Sequence, residues 1–226
     1  MDLRAAPGTA LLIDAAGTLL SPTSSIVETY ARFARGFGGT RTPKEIAAEL
    51  PGVMERARPL RARKPDWRPY WGEVVRVSTG VDAPELLEAL FDYYTRAEAW
   101  RVTPGAEACA RAVAQRGMKV AVVSNWDTRL RRTLAELRVL EWIDAAIISA
   151  ELGVEKPAPG IFHRACERLD VSPASALHVG DDTNDDVAGA RGAGCHALHW
   201  PAQVGSFAAL ARRLLSPARV EVAAAP

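Results

Sequence analysis

Long apolar runs are missing from this chain of 226 residues. Nothing approaches the roughly 20 apolar residues of a membrane-spanning helix, so a membrane partner is not expected. Cysteine is scarce and odd in number. Cys109, Cys166 and Cys195 stand apart, none at metal-ligand spacing from another Cys or His. That argues against a disulfide scaffold or a thiolate metal site and fits reduced, buried thiols in a cytoplasmic setting. Lysine is nearly absent: Lys44, Lys64, Lys119 and Lys156 are all there are. Arginine carries the basic charge, so a local run of Arg means less here than elsewhere. Charge of one sign is missing too, with a net +1, and no global field points to nucleic acid. The N-terminus has no charged segment followed by a long apolar one, because Asp14 interrupts the only candidate. The tail from Ser216 to Pro226 is expected to fray.

What is present is 48% hydrophobic and 24% charged residues, the composition of a globular protein with one sizeable core and room for a smaller module. Ala10–Leu20 (ALLIDAAGTLL) attracts attention first. A short apolar run, expected to be a buried strand over 10–13, stops at Asp14, and a flexible Ala-Ala-Gly follows. A carboxylate at the tip of a buried strand is costly unless something pairs with it. A strand ending in a turn rich in Asp and Gly is the plain alternative.

From about Ser21 to Arg101 the pattern is helical and no strand is expected. Ser24 or Ser25 caps a helix to about Phe37, with Ile26, Tyr30, Phe33, Ala34 and Phe37 on one face. Thr42-Pro43 opens a second, to about Arg56. Residues 57–65 read as a loop. Asp66 caps a third helix bearing Trp67, Tyr70, Trp71, Val74 and Val75. Asp82-Ala83-Pro84 starts a fourth, with Leu86, Leu87, Leu90, Phe91 and Tyr94. After Thr103-Pro104-Gly105 the texture changes. Strands are expected at Lys119–Val123, Ala145–Ile148, Ala176–Val179 and Cys195–Leu198. Helices are expected over 106–116, 127–137, 159–169 and 187–192. This alternation predicts a parallel sheet with helices on both faces, an α/β fold. The expected division is a core of residues 1–20 and 102–226 with a helical insert at 21–101.

In open parallel sheets, ligands bind at the carboxyl ends of the strands. Asp14, Ser124 with Asn125, and Asp181 with Asp182 fall at three such ends, and Lys156 lies in the loop after another strand. Each has a bland reading: Ser124-Asn125 as a common turn, Lys156 as a solvated loop lysine, Asp182 as a helix N-cap, His178 as a buried or supporting histidine. Asp181, Asp182, Asp185 and Asp186 are harder to dismiss, since four carboxylates within six residues repel unless neutralised.

Taken together these positions resemble the haloacid dehalogenase superfamily, whose members are mostly phosphatases. Asp14, Gly17 and Thr18 in DAAGTLL match its first motif, and Ser124 in VVSNWD the second. Lys156 in EKPAPGIF matches the third, and Asp181 and Asp186 in HVGDDTNDDVAGARGAG the fourth. The resemblance implies a Rossmann-like core with an inserted helical C1 cap. It implies Mg²⁺, an oxygen-seeking cation, held by Asp14, the backbone carbonyl of Ala16 and Asp181, with Asp186 or Asp185 as a direct or supporting ligand. It implies Asp14 as nucleophile forming an aspartyl-phosphate. Ser124, Asn125 and Lys156 would bind the phosphoryl group of a small phosphorylated substrate, with Lys156 neutralising charge.

One departure matters. Phosphatases of this superfamily normally carry a second Asp two positions after the nucleophile as general acid and base, and here that position is Ala16. Subgroups with a WW-type cap helix and an SN-aromatic-D second motif also lack it, and Trp67, Trp71 and Ser124–Asp127 are similar to those. A 2-haloacid dehalogenase lacks it as well, but needs no metal and replaces the fourth-motif acids that this chain retains. A phosphonoacetaldehyde hydrolase would need a cap lysine, for which Lys64 is the only interior candidate, and its Arg-Lys-Pro context does not resemble that motif. A phospho-ligand or protein-binding module on a disabled core is the non-enzymatic alternative. Lastly, Arg56, Arg58, Arg61, Arg63, Lys64 and Arg68, with only Asp66 among them, either reach over the site toward an anionic leaving group or form a solvated loop.

Overall fold

The computed structural model describes residues 3–61 and 65–216. Five short strands form a parallel sheet: β1 (Ala10–Ile13), β4 (Lys119–Ser124), β5 (Ala145–Ile148), β6 (Ala176–Gly180) and β7 (His196–His199), in the order β5-β4-β1-β6-β7. β1, which ends at Asp14, is central, with Ile13 in register with Val122 on one side and Val179 on the other. A parallel strand covered on both faces must be apolar throughout, and every residue of β1 is buried.

Alternation along the strands feeds two separate cores. Leu11, Ile13, Val120, Val122, Leu177 and Val179 face one side. There they meet α5 (Ala106–Ala114), α6 (Arg129–Glu136) and α10 (Phe207–Leu215) through Ala110, Leu130 and Leu210. Ala10, Leu12, Ala121 and Val123 face the other, against Ile161, Phe162 and Ala165 of α8 (Pro159–Leu169). The C-terminal helix α10 packs on α5 and is an element the reading of the sequence did not propose.

Between β1 and α5 come four helices: α1 (Ile26–Arg35), α2 (Pro43–Ala57), α3 (Arg68–Thr79) and α4 (Pro84–Tyr93). They enclose an apolar cluster that includes Tyr30, Ile46, Val53, Tyr70, Val74, Leu86 and Leu90. Thr42 starts α2 with a reciprocal cap: its side chain accepts from the Glu45 N–H, and the Glu45 carboxylate accepts from the Thr42 N–H at 2.8 Å. Such a cap contributes about 1 kcal/mol. Asp66 accepts from the Arg68 N–H at 2.9 Å, so it supports the start of α3.

Three expectations are corrected. Ile26 and Phe37 are both 40% exposed, so only the middle of the α1 face is buried. The stretch after α2 is not all loop, because the helix continues as a 3₁₀ turn, Arg58–Arg61. Arg63 and Lys64, like the tail after Ser216, lie outside the described residues. Finally, the segment expected to hold no strand contributes most of a small sheet. β2 (Leu20–Pro22) and β3 (Trp100–Val102) pair antiparallel where the insert leaves and rejoins the core, with Leu20 opposite Val102 and Pro22 opposite Trp100. Three-residue strands, one carrying a proline, are too short to show a period of two.

Among the described residues no helix is long and apolar enough to cross a membrane.

Candidate active site

The carboxyl ends of β1, β4 and β6 bring the predicted residues together. Asp14 follows β1 and is 5% exposed. Its backbone N–H still donates to Val179 O at 2.9 Å, so the sheet fixes its position. The chain then reverses: the Leu19 N–H returns to Asp14 O, and the Gly17 N–H donates to Leu20 O. Gly17 has φ +79°, and a β-carbon there would overlap the Asp181 carboxylate. Glycine is therefore required twice over, by conformation and by space. Ala16 is exposed on the same turn.

Asp14, Asp181 and Asp186 each place a carboxylate oxygen within 4.8 Å of the others. Lys156 is the cation among them. Its Nζ lies 2.6 Å from Asp14 Oδ1 and 2.5 Å from Asp186 Oδ1. Thr18 Oγ1 donates to Asp181 Oδ1 at 3.3 Å, and the ring Nε2 of His199, at the end of β7, lies 2.8 Å from Asp181 O. Ser124 ends β4, buried, in register with Ile148.

Of the two neighbouring acids Asp185 and Asp186, the fold brings Asp186 beside Asp14 and Asp181. Asp182 is the N-cap of a π-helical turn over Thr183–Ala188, accepting from the N–H groups of Asn184 and Asp185. The wide turn, a feature common at functional sites, carries Asp186 inward beneath β6. There Asp186 Oδ2 accepts from the Asp182 N–H at 3.0 Å, and Oδ1 meets His178 Nε2 at 2.8 Å. Asp185 turns the other way, toward Asn125 and Arg58.

Electrostatics follow from burial. Asp14 is pushed up to about 7, chiefly by desolvation, with Asp186 and Asp181 adding to the rise and Lys156 opposing it. Asp181 is also raised, by burial and by Asp186. Asp186 is held far below the usual carboxylate range: burial opposes its charge, but His178 and Lys156 outweigh it. Burial lowers Lys156, yet Asp14 and Asp186 together hold it above its ordinary value. Desolvation lowers His178. Beside the Asp186 carboxylate, which only accepts, His178 Nε2 is the donor of this hydrogen bond.

The Asn125 side chain is engaged within the protein, which leaves its backbone N–H as the group that could meet a phosphoryl oxygen. Its Nδ2 donates to Lys156 O at 2.9 Å and to Asp185 Oδ2 at 3.2 Å, and its Oδ1 accepts from the Lys156 N–H at 2.7 Å. Both amide protons are committed to the protein, so the side chain has no donor left for a phosphoryl oxygen.

The Arg-rich run does reach the core, but it finds protein acids there. Arg58 pairs with Glu155 and Asp185, and Arg61 with Glu155 at 3.0 Å while stacking on Trp67 and Tyr70. Arg68 stays on the insert, with Glu88 and Asp66. A second junction was not foreseen. Trp71 Nε1 of α3 donates to Asp127 Oδ2 at 2.9 Å. Asp127 also binds Arg129, whose guanidinium lies 3.5 Å over the Phe91 ring. The sequence offers Asp127 only as a helix start and as the last residue of the SN-aromatic-D motif, and neither points to Trp71.

A family model described as haloacid dehalogenase-like hydrolase matches residues 9–194. The haloacid dehalogenase-like hydrolase domain-containing protein 3 of Bos taurus is 39% identical over 113 residues, 50% of this chain and 45% of that protein. The chain thus spans about half the length of that curated relative. The phosphoglycolate phosphatase (plasmid) of Cupriavidus necator is 31% identical over 235 residues, covering 96% of this chain and 97% of that protein. The solved L-2-haloacid dehalogenase of Xanthobacter autotrophicus superposes with a TM-score of 0.67 at 26% identity, over 90% of this chain and 81% of that one.

Proposed function

Because this chain belongs to the haloacid dehalogenase-like hydrolase family, we propose that it is a Mg²⁺-dependent phosphatase of a small phosphorylated metabolite, with Asp14 as nucleophile. One observation carries the reading: three carboxylates converge within 4.8 Å, and the Lys156 ammonium pairs with two of them, Asp14 and Asp186. With all three ionised, the cluster holds two negative charges more than Lys156 offsets. A divalent cation restores neutrality, and an all-oxygen donor set suits Mg²⁺. The residues that would hold it are Asp14, Asp181 and Asp186, with the Ala16 carbonyl at the same turn. When bound, the ion would stabilise the negative charge of the cluster and of the phosphoryl oxygens.

The remaining steps belong to the chain. Asp14, anchored by the sheet and by Lys156, attacks phosphorus. A P–O bond forms on the carboxylate as the bond to the leaving oxygen breaks. Lys156 and Ser124 face the transferring group and offset its charge. Water then cleaves the aspartyl-phosphate and frees Asp14. The Ala16 methyl can donate no proton, so the leaving oxygen takes one from solvent, and good leaving groups are favoured. The inserted helices serve as the cap that screens this chemistry from water.

The relative named as a phosphoglycolate phosphatase supports this reading. The solved dehalogenase, together with Ala16, gives the alternative a footing, since halide leaves without a proton. Purified protein with acetyl phosphate or p-nitrophenyl phosphate separates the two. Phosphate release that needs Mg²⁺ and stops with EDTA is expected. Chloride release from 2-chloropropionate without any metal would instead establish the dehalogenase.

A further inference from the structure

Two acceptors beside the candidate site are each shared by the same two donors. Lys156 O accepts from Asn125 Nδ2 at 2.9 Å and from Arg58 Nη2 at 3.3 Å. Asp185 Oδ2 accepts from Asn125 Nδ2 at 3.2 Å and lies 3.5 Å from Arg58 Nη2. Asn125 belongs to the core, directly after β4. Arg58 belongs to the insert, at the end of α2. We propose that Arg58 is a positioning residue for Lys156, so that the insert, when seated on the core, completes the support of the lysine that faces Asp14. The role assigned to Lys156 rests on the phosphatase reading; the positioning itself does not.

The physical case begins with what Lys156 must do. Its ammonium bridges Asp14 and Asp186, and a long side chain holds such a geometry only if its backbone is fixed. The Lys156 peptide lies in a loop outside the sheet, so strand pairing does not fix it. Asn125 supplies the substitute: it binds the Lys156 N–H and C=O together, as a neighbouring strand would. Arg58 adds a second donor to the same carbonyl. The planar guanidinium also spans Glu155, the residue before Lys156, at 3.4 Å. One fork thus reaches three groups on two core segments, a geometry an ammonium cannot reproduce. Groups that orient a direct ligand are typically worth about 10–100-fold in activity or affinity.

Arg58 is partly exposed and, among the described residues, its partners are Glu155, Lys156 O and Asp185 rather than Asp14 or Asp181, so it acts through Lys156. An anion site for a leaving group is the competing role for the same residue, and the two differ in what they change. A positioning residue alters kcat on every substrate. An anion site alters KM, and only for substrates whose leaving group is charged.

The test uses the whole chain with Arg58→Met and Arg58→Lys, the latter keeping a cation beside Glu155 and Asp185. With p-nitrophenyl phosphate and Mg²⁺, Arg58→Met is expected to lower kcat by about tenfold, with KM within about twofold. Arg58→Lys is expected to fall between it and the parent. Because Asn125 and Arg58 share acceptors, Asn125→Ala combined with Arg58→Met is expected to be non-additive.

A second readout needs no turnover. With four lysines in the chain, acylation by an amine reagent followed by mass spectrometry resolves each of them. Lys156 is expected to be protected in the parent and to be modified about tenfold faster, relative to exposed Lys119, in Arg58→Met. A KM effect with kcat unchanged would assign Arg58 to substrate instead. Unchanged Lys156 protection in both Arg58 variants overturns the proposal. A parent protein with no phosphatase activity sinks the functional reading alone, since the labelling experiment still decides the positioning.

Discussion

The Nζ of Lys156 sits between Asp14 Oδ1 at 2.6 Å and Asp186 Oδ1 at 2.5 Å, joining the end of β1 to the π-helical turn after β6 through one buried cation. Removing either acid would leave this cation under-compensated in a dry site, and such losses are severe. Asp14→Asn also removes the attacking carboxylate; it is expected to lower the melting temperature and to reduce phosphate release from acetyl phosphate to background in protein still folded by far-UV circular dichroism. Full activity in that variant would show that Asp14 is not the nucleophile.

Ala16 offers the opposite experiment. It is exposed on the turn after Asp14, where a carboxyl group would face the leaving oxygen. Ala16→Asp is expected to raise kcat on alkyl phosphate esters, by up to about 10²–10⁴-fold if the new acid is well placed. Acetyl phosphate, whose leaving group needs little protonation, should change much less. Equal effects on both substrates would argue against a proton-transfer role at this position.

Acidity gives a third prediction. Burial raises the folded-state pKa of Asp14 from 3.8 to about 7. A carboxyl shifted upward costs the metal-free fold stability once it ionises, and that cost develops as pH rises from about 4 through 7. Asp181 acts in the same sense. Asp186 acts oppositely, but its depressed value confines its loss of stability to more acidic solution. A bound cation relieves the cost by pairing with the ionised acids. The rise in melting temperature on adding MgCl₂ should thus be larger at pH 7.5 than at pH 5.5. The same rise at both values would disconnect Asp14 from the metal.

The junction at Asp127 is expected to show in stability rather than chemistry. Asp127 is 1% exposed and holds both Arg129 and the Trp71 indole. Asp127→Ala strands a largely buried guanidinium and should cost about 3–5 kcal/mol in urea unfolding. Trp71→Phe loses one hydrogen bond to a charged group and should cost about 1.5–3 kcal/mol. A smaller effect for Asp127→Ala than for Trp71→Phe would mean that the ion pair contributes nothing.

The features legible in the sequence are those where local chemistry and topology agree. Asp14, Ser124 and Asp181 were placed because short apolar runs ended on polar residues, and in a parallel sheet those ends share an edge. Lys156 was found through its place in the third motif. The choice between Asp185 and Asp186 was not legible, because it depends on the wide π turn after Asp182. In an ordinary helical phase the two residues differ by only 100°. That the Asn125 side chain would hold the Lys156 peptide was not legible, because that peptide is 31 positions away and carries no side-chain signature. The acids that meet Arg58 and Arg61 belong to distant segments, so the run looked unpaired.

The pairing of β2 with β3 casts the whole insert in another light. Pro22 stands opposite Trp100, and the Thr23 N–H donates to Ala99 O, so the chain leaves and returns at adjacent points. Topologically, everything from Thr23 to Ala99 is the loop of one β-hairpin. Loop length is thermodynamically cheap to change, and a tight turn joins antiparallel neighbours as readily as four helices do. The insert can in principle be excised, or exchanged for another, without moving a strand of the five-stranded sheet. An excised form would keep Asp14, Asp181, Asp186 and Asn125 but lose Arg58, Trp71 and the roof they fasten. The hairpin thus divides the molecule into a fixed sheet that carries the acidic cluster and an interchangeable helical insert.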